Sequence, residues 1–140
     1  MELYLVGSDD FGTVWPVVRD DLNKALEYSN GRYSEKIVAD MVVSNLMQLW
    51  LLTNEDKIVM SMVTQILDYP TGLKVCEVFL LGGKNTKEWL EFAVGKLSKW
   101  AKSLGCSSIQ IAGRKGWEKV LKGWGSVMVM LERPIGEDHE

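Results

Sequence analysis

One stretch of the sequence, from Leu73 to Gly113, constrains the fold more than any other. Leu73 to Leu81 is an almost unbroken apolar and β-branched run between turn residues, which predicts a buried strand. Apolar residues then recur every three or four positions up to Leu104, where Gly105 can end a helix in the left-handed conformation. Ser108 to Ala112 follows as a second, short strand. Together these predict a right-handed β-α-β unit whose helix begins beside the carboxyl end of the first strand.

The residues before this unit predict two helices and three strands. Alternation in Glu2 to Gly7 indicates a first strand. Helical spacing follows twice, in a helix expected to begin near Pro16 and in one capped by Ser34. Gln48 to Leu52 and Lys57 to Asp68 then predict a hairpin, and the longer strand is apolar on both faces, as in the middle of a sheet.

After the unit, the sequence predicts a short helix around residues 117–124 and a final strand from Ser126 to Glu132. The fold class expected is α/β: one domain with a mixed β-sheet flanked by helices, in the order β-α-α-β-β-β-α-β-α-β. We expect residues 1–134 to form the domain and residues 135–140 to form an acidic tail.

Composition and charge limit the functional classes. The chain has 140 residues, of which 46% are hydrophobic and 25% charged, which is typical of a soluble globular domain. No apolar run is long enough to cross a membrane and no signal peptide is apparent, so a cytoplasmic location and no membrane partner are expected. From Lys74 to Lys122, nine lysines and Arg114 against four glutamates give a balance of +6 within a net charge of -3. This basic region would favour an anionic ligand or acidic partner, or is a solvated surface.

Other site chemistries have little support in the sequence. Cys76 and Cys106 lack metal-ligand spacing and are expected to be buried free thiols. The sole histidine, His139, lies in the acidic tail. With no serine triad and no second histidine, we expect no metal and no hydrolytic centre, and no motif indicates specific nucleic-acid binding.

Three segments carry a family resemblance: Glu77-Val78-Phe79-Leu80, the helix end from Lys99 to Gly105, and Ser108-Ile109-Gln110-Ile111. They resemble the core of the GNAT superfamily of acyl-CoA-dependent N-acetyltransferases, and the element order agrees over most of the chain. The resemblance implies a GNAT-like fold and, for an active member, acetyl-CoA as cofactor. Such members hold the cofactor's pyrophosphate on the turn after the fourth strand, through an Arg or Gln followed by Gly-x-Gly or Gly-x-Ala.

The chain departs from that pattern at four positions. Asn85 stands at the place of the Arg or Gln, and Glu88 and Leu90 stand at the places of the two glycines. Glu88 would also bring a negative charge toward the pyrophosphate. Many family members use a tyrosine on the last helix as general acid, and Leu121, which cannot donate a proton, stands there. These departures predict an eroded cofactor site.

Two groups of residues remain candidates for a site. The turn after the fourth strand could still bind an anion through Gly82, Gly83, Lys84, Asn85, Thr86 and Lys87, with Thr86 as helix cap. Alternatively, the glycines serve only the backbone angles of the turn. Glu77 is the candidate general base, since the family places a glutamate on this strand. The alternative is a strand-edge glutamate that faces solvent or pairs with Lys57 or Lys74.

Two functional hypotheses follow. In the first, the chain is a non-catalytic binding or structural module with a protein as its partner. Residues 121–127 resemble the corresponding segment of small GNAT-like proteins of tailed bacteriophages, which implies a phage-encoded, virion-associated protein in the host cytoplasm or the virion. In the second, it is a divergent acetyl-CoA-dependent N-acetyltransferase with Glu77 as general base.

Overall fold

The computed structural model describes residues 1–112 and 121–136, and its strands and helices follow the hydrophobic periodicity of the sequence. Their bounds are β1 Glu2–Leu5, α1 Phe11–Leu26, a short 3-10 helix Glu27–Ser29, α2 Glu35–Val43, β2 Gln48–Asn54, β3 Lys57–Asp68, β4 Lys74–Gly82, α3 Thr86–Ser103 and β5 Ser108–Ile111. The expected α/β class with a mixed sheet is confirmed. Among the described residues, no helix is both long enough and apolar enough to span a membrane.

The sheet has the order β1-β2-β3-β4-β5. Neighbouring strands are antiparallel except β4 and β5, which run parallel because α3 crosses between them. The predicted β-α-β unit is therefore present, and Gly105 follows α3 with a φ of 88°. The predicted hairpin is also present, since Glu55 and Asp56 turn the chain with positive φ between β2 and β3.

Helices cover both faces of the sheet. On one face, α1 and α2 bury Trp15, Leu22 and Val38 against Leu49 and Val63 of the sheet. On the other face, α3 buries Leu97 and Ala101 against Trp50, Met62, Cys76 and Val78. The middle of β3, residues 60–64, is buried on both faces, as its sequence predicts.

The predicted start of the first helix was wrong. The helix begins at Phe11 rather than near Pro16, which lies inside it. The additional turn brings Phe11 onto the ring of Trp15, with ring centroids 5.2 Å apart, and Trp15 is buried. Aromatic packing of this kind offsets the cost of one proline in the early part of a helix. Ser34 caps α2 as predicted, and its side chain accepts a hydrogen bond from the Ile37 backbone N–H at 3.2 Å.

The predicted final strand was also wrong: within the described residues no strand follows β5, and the apolar side chains of residues 127–131 are exposed. A strand needs a neighbour to complete its hydrogen bonds, and this run does not pair with the four-residue β5. Most of the helix predicted at residues 117–124 lies outside the described residues, as do residues 137–140 of the acidic tail.

Candidate functional site

The two parallel strands of the β-α-β unit part in the middle of β4. They pair from Val75 opposite Ser108 to Val78 opposite Ile111, after which β5 ends and β4 continues to Gly82. On its other side, β4 pairs Leu80 with Val63 and Val78 with Thr64, so that Phe79 has no partner across the ladder. This extra residue is a β-bulge, which bends the strand at the point where its parallel neighbour is lost.

A cavity of about 270 Å³ occupies the gap. Its floor is formed by five successive residues of β4, Glu77 to Leu81, together with Ile111 and Ala112 at the end of β5. Successive residues of a strand face opposite sides of the sheet, and here five successive residues of β4 all line the cavity. The cavity therefore extends into the space between β4 and β5. Its rim comes from the segment after α1, residues 28–33, and from Met130. An apolar floor with a few polar groups is typical of a small-molecule site.

Glu77 is the carboxylate of this cavity, and it is held from both sides. It lies opposite Gln65 of β3 and Gln110 of β5. The Gln65 amide donates to Oε1 at 2.7 Å, and the Gln110 amide donates to Oε2 at 2.8 Å. Glu77 is 9% exposed, so these two bonds replace most of its hydration. The structure thus supports neither pairing with Lys57 nor pairing with Lys74 at this carboxylate.

The rim of the cavity holds an arginine and an aromatic pair. The Arg32 guanidinium donates to the backbone carbonyl of Ser29 at 3.3 Å and forms an ion pair with Glu132 at 2.8 Å. Tyr33 meets the bulged Phe79 edge to face, with ring centroids 4.6 Å apart. The contact fixes the segment after α1 against the bent part of β4, because aromatic edges prefer aromatic faces.

The turn from β4 into α3 contains the residues that the sequence predicts as an anion site, 82–87. Its two glycines lie close to atoms of α1 and β3. A Cβ at Gly82 would lie 2.9 Å from Ser61 Oγ and 3.0 Å from Asp21 Cβ. A Cβ at Gly83, where φ is 123°, would lie 2.9 Å from the Val59 carbonyl oxygen. Both positions therefore require glycine for internal packing, whether or not a ligand binds.

The remaining turn residues surround the start of α3. The N-cap of α3 is Asn85 rather than Thr86, so the predicted cap was wrong by one residue. Asn85 has the left-handed conformation, with a φ of 57°, and its side chain makes no capping hydrogen bond to α3. Lys84, Asn85 and Lys87 are exposed, whereas Thr86 is half-buried. These cationic and amide groups lie at the positive end of the helix dipole, where an anion is favoured.

Neither cysteine is suited to nucleophilic chemistry. Cys76 is buried on the α3 face of β4, and burial raises the pKa of its thiol to about 12. Burial also raises the pKa of the Cys106 thiol. A thiolate is the reactive form, so both groups remain protonated near neutral pH. Among residues 1–112 and 121–136, no cluster of His, Cys, Asp and Glu could hold a metal ion.

Comparison with solved structures identifies the fold. An aminoglycoside acetyltransferase from an uncultured soil metagenomic sample superposes with a TM-score of 0.69 at 11% identity, over 96% of this chain and 98% of that one. A GNAT family acetyltransferase from Staphylococcus aureus superposes with a TM-score of 0.64 at 14% identity, over 96% and 98%. A ribosomal-protein-alanine N-acetyltransferase from Brucella melitensis biovar Abortus gives 0.59 at 14%, over 94% and 100%.

The chain has the GNAT fold. No protein-family model matches its sequence, and no curated protein matches it significantly. At 8–14% identity, the structural similarity establishes the fold and carries no activity across to this chain.

The side chains that depart from the GNAT pattern do not close the cavity. Leu90 is 1% exposed and packs in the core, and Leu121 is also buried. Glu88 is exposed in the first turn of α3. None of the three lines the cavity between β4 and β5. These three side chains therefore leave the gap between β4 and β5 open.

Of the residues in and around the cavity, the sequence indicated Glu77 but not Gln65, Gln110, Arg32 or Tyr33. Gln65 and Gln110 carry no motif, and their relation to Glu77 depends on the strand register. Arg32 and Tyr33 follow α1 and are more than 40 residues away from Glu77 in sequence, so only the packing of α1 on β4 brings them near. The one available signal was that each of the three predicted strands contains a polar residue within an otherwise largely apolar stretch.

Proposed function

We propose that this GNAT-fold chain is a binding module that does not use acyl-CoA. The observation that carries the proposal is the β4–α3 turn, where both glycines lie against the chain itself and the two positions at which the family has glycine hold Glu88 and Leu90. Gly82 approaches α1 and Gly83 approaches β3, so both glycines are accounted for by packing. Leu90 is a core residue, and the carboxylate of Glu88 stands in the first turn of α3.

Electrostatics at this turn support the same conclusion. A backbone anion site works because helix N–H groups and nearby cations attract the phosphates. Glu88 places a negative charge within that first turn and offsets part of the attraction from Lys84 and Lys87. The general-acid position adds a second argument, because Leu121 is apolar and buried and has no proton to give to a departing thiolate.

Thermal unfolding with and without millimolar acetyl-CoA tests this proposal. We expect no change in Tm, because a ligand must bind the folded chain to stabilise it. At a hundred times its dissociation constant, a bound ligand would add about 2.7 kcal/mol. The informative variant is Asn85→Arg with Glu88→Gly, which rebuilds part of the family pattern at exposed positions and would create a shift.

A stabilisation of the wild-type chain that disappears in Lys84→Ala or Thr86→Ala would contradict the proposal. The matched control is Lys99→Ala, which removes a lysine from the exposed face of α3 away from the turn. A shift that is equal in all these variants would indicate binding at another surface.

The partner of such a module is proposed to be a protein, and its source a tailed bacteriophage. The support is the resemblance of residues 121–127 to the corresponding segment of small phage GNAT-like proteins. Mass spectrometry of purified particles from the source phage would detect the chain if it is packaged in the virion. Its presence only in the infected-cell lysate would place it in the host cytoplasm instead.

A second candidate function, a divergent acetyl-CoA-dependent N-acetyltransferase, is favoured by the cavity itself. Glu77 lies in the gap between β4 and β5 with both oxygens positioned by glutamine amides. Each carboxylate oxygen can accept a second hydrogen bond, so Glu77 could orient an acceptor amine and take its proton. Acetyl-CoA would supply the acetyl group: a C–N bond would form to the amine, the thioester C–S bond would break, and coenzyme A would leave as its thiol. Lys84, Thr86 and Lys87 would be the residues that contact the cofactor's phosphates.

Release of free thiol from acetyl-CoA in the presence of a panel of primary amines tests this second candidate. A transferase should release thiol only when an amine is present, and Glu77→Gln should lower the rate by about 10²–10⁴-fold, the usual contribution of a general base. Glu91→Gln, an exposed glutamate of α3, is the control. Absence of amine-dependent release in the wild-type chain would exclude this candidate for the amines tested.

A further inference from the structure

The cavity between β4 and β5 is lined by two residues of opposite charge, each of which has partners of its own. Glu77 lies in the floor, between two glutamine amides, and Arg32 lies at the rim, where it pairs with Glu132. Among the described residues that line the cavity, Glu77 and Arg32 are the charged ones. Opposite charges held separately in one cavity are complementary to a ligand that carries both charges.

Glu77 offers the cavity a negative charge. Its two carboxylate oxygens accept hydrogen bonds from Gln65 at 2.7 Å and from Gln110 at 2.8 Å, as an ionised carboxylate does. Both partners are neutral amides, so they position the carboxylate without balancing its charge. Because Glu77 is only 9% exposed, a cation that also donates a hydrogen bond would stabilise it more than water does. A protonated amine has both properties.

Arg32 offers a site for a carboxylate, and Glu132 already shows this chemistry. The guanidinium donates to the Glu132 carboxylate at 2.8 Å and to the Ser29 backbone carbonyl at 3.3 Å. Planar guanidinium groups are well suited to carboxylates. The side chains of Arg32 and Glu132 are 44% and 58% exposed, and ion pairs at such exposure are weak. The carboxylate of a ligand would therefore displace Glu132 at small cost.

Glu132 is well placed to act as an internal competitor of such a ligand. Met130, two residues earlier, lines the same cavity, so this part of the chain lies at the rim. When a ligand carboxylate binds Arg32, Glu132 would turn to solvent, where its charge is hydrated. The ion pair in the structure thus marks the position that the ligand's carboxylate would take.

The volume and the lining of the cavity describe the part of the ligand between its two charges. The cavity holds about 270 Å³, which is at the lower end of the range for small-molecule pockets, roughly 300–1,000 Å³. Its floor is apolar apart from Glu77, since residues 78–81 and Ile111 line it. These features favour a short aliphatic chain over a nucleotide.

We propose that the cavity binds a small amino acid whose ammonium contacts Glu77 and whose carboxylate replaces Glu132 on Arg32. The inference goes beyond the binding module proposed above, because it concerns the cavity and not the β4–α3 turn. For the second candidate function it names the class of the acceptor. The experiments below contain no acetyl-CoA, so their outcome is separate from that of either proposed function.

Isothermal titration with a series of ω-amino acids, from glycine to ω-aminohexanoate, tests the proposal. Only the spacing between ammonium and carboxylate changes along this series. The controls are the alkylamine and the alkanoate of the same chain length, each of which keeps one of the two charges. We expect the best ω-amino acid to bind at least about tenfold more tightly than either control, because it makes both charge-assisted contacts. No binding by any member, or equal binding of the alkylamine, would overturn the proposal.

Variants assign each charge of the ligand to its residue. Arg32→Gln should reduce the affinity of the best ω-amino acid to that of the alkylamine, and Glu77→Gln should reduce it to that of the alkanoate. Glu132→Gln should raise it, because the competing carboxylate is gone. The matched control is Arg19→Gln, which breaks the ion pair with Glu35 at 2.9 Å, outside the cavity and at similar exposure, and should change nothing.

Far-UV circular dichroism checks that each variant is folded. If Glu77→Gln does not fold, the variants at Arg32 and Glu132 decide the proposal, because both residues are exposed at the rim. An affinity that is unchanged in Arg32→Gln, or reduced equally in Arg19→Gln, would overturn the assignment of the carboxylate to Arg32. An affinity that falls in Glu132→Gln would show that Glu132 contributes to binding and does not compete with the ligand.

Discussion

The middle of β4 and the turn at its carboxyl end differ in what their residues do. In the middle, Glu77 faces an open cavity, and two amides hold its carboxylate in one place. At the end, Gly82 and Gly83 contact neighbouring elements, and Leu90 lies in the core. Of these residues, only Glu77 places a polar side chain in the cavity. In this GNAT-fold chain the gap between the parallel strands is open, while the two glycines at the end of β4 lie against neighbouring elements.

The largest expected effect tests the role of Leu90, at the place where the family has glycine. Leu90→Ala should lower the free energy of unfolding by about 2–5 kcal/mol, since it leaves a cavity in the core. Urea denaturation measures this loss. Leu104→Ala is the control, because Leu104 is 43% exposed and its truncation should cost well under half as much. Equal effects of the two variants would show that Leu90 is free for a role outside the core.

A somewhat smaller effect is expected at the turn. Gly82→Ala should lower the free energy of unfolding by about 1–3 kcal/mol, because the new Cβ forces Ser61 or the backbone at Asp21 to move. Gly95→Ala, inside α3 with no atom within 4 Å of the new Cβ, should raise it by about 0.5–1 kcal/mol. If Gly82→Ala is as stable as the wild type, packing does not explain this glycine, and a ligand role becomes the better account.

The third test compares the carboxylate of Glu77, in the middle of β4, with that of Glu88, in the first turn of α3. Glu77→Leu should lower the free energy of unfolding by about 1–2 kcal/mol, because the amides of Gln65 and Gln110 lose their acceptor. Glu88→Leu removes an exposed carboxylate and should change it by less than about 0.5 kcal/mol. Chemical denaturation at neutral pH compares them directly. A larger loss for Glu88→Leu than for Glu77→Leu would reverse the comparison.

The last test concerns thiol reactivity and pH dependence on the opposite face of β4. Cys76 precedes Glu77 and is buried under α3, so a thiol reagent at pH 8 should label Cys106 and leave Cys76 unlabelled in the folded chain. Because burial raises the pKa of Cys76 to about 12 from an ordinary value of 9, the unfolded chain releases this proton first. The free energy of unfolding should therefore fall as the pH rises above about 9. Rapid labelling of Cys76 in Cys106→Ser would show that this face is open.

Helices and strands could be predicted from the sequence where hydrophobic periodicity and turn residues mark them. The β-α-β unit was recognisable because an apolar run, a helical stripe and Gly105 each carry a local signal. The start of α1 was predicted too late because proline is usually found in the first turn of a helix. That preference does not take account of the stacking of Phe11 on Trp15. The final strand was predicted from alternation, but a strand also needs a neighbouring edge to pair with, and alternation alone does not specify that edge.

The site was predictable only in part. Glu77 was found through the family resemblance, whereas Gln65 and Gln110 depend on a register set by the bulge at Phe79. Bulges and the approach of Arg32 and Tyr33 arise from tertiary packing, so no local pattern reports them. Gly82 and Gly83 were named as candidate ligand-binding residues, but a glycine required for internal packing and a glycine required for phosphate contact look the same in a sequence.

Isothermal titration of acetyl-CoA into the wild-type chain tests the central claim most directly. The account predicts no saturable heat up to millimolar ligand, because the turn between β4 and α3 is committed to internal packing and carries Glu88 in the first helical turn. Saturable binding with one site per chain, lost in Lys84→Ala and retained in Lys99→Ala, would contradict it.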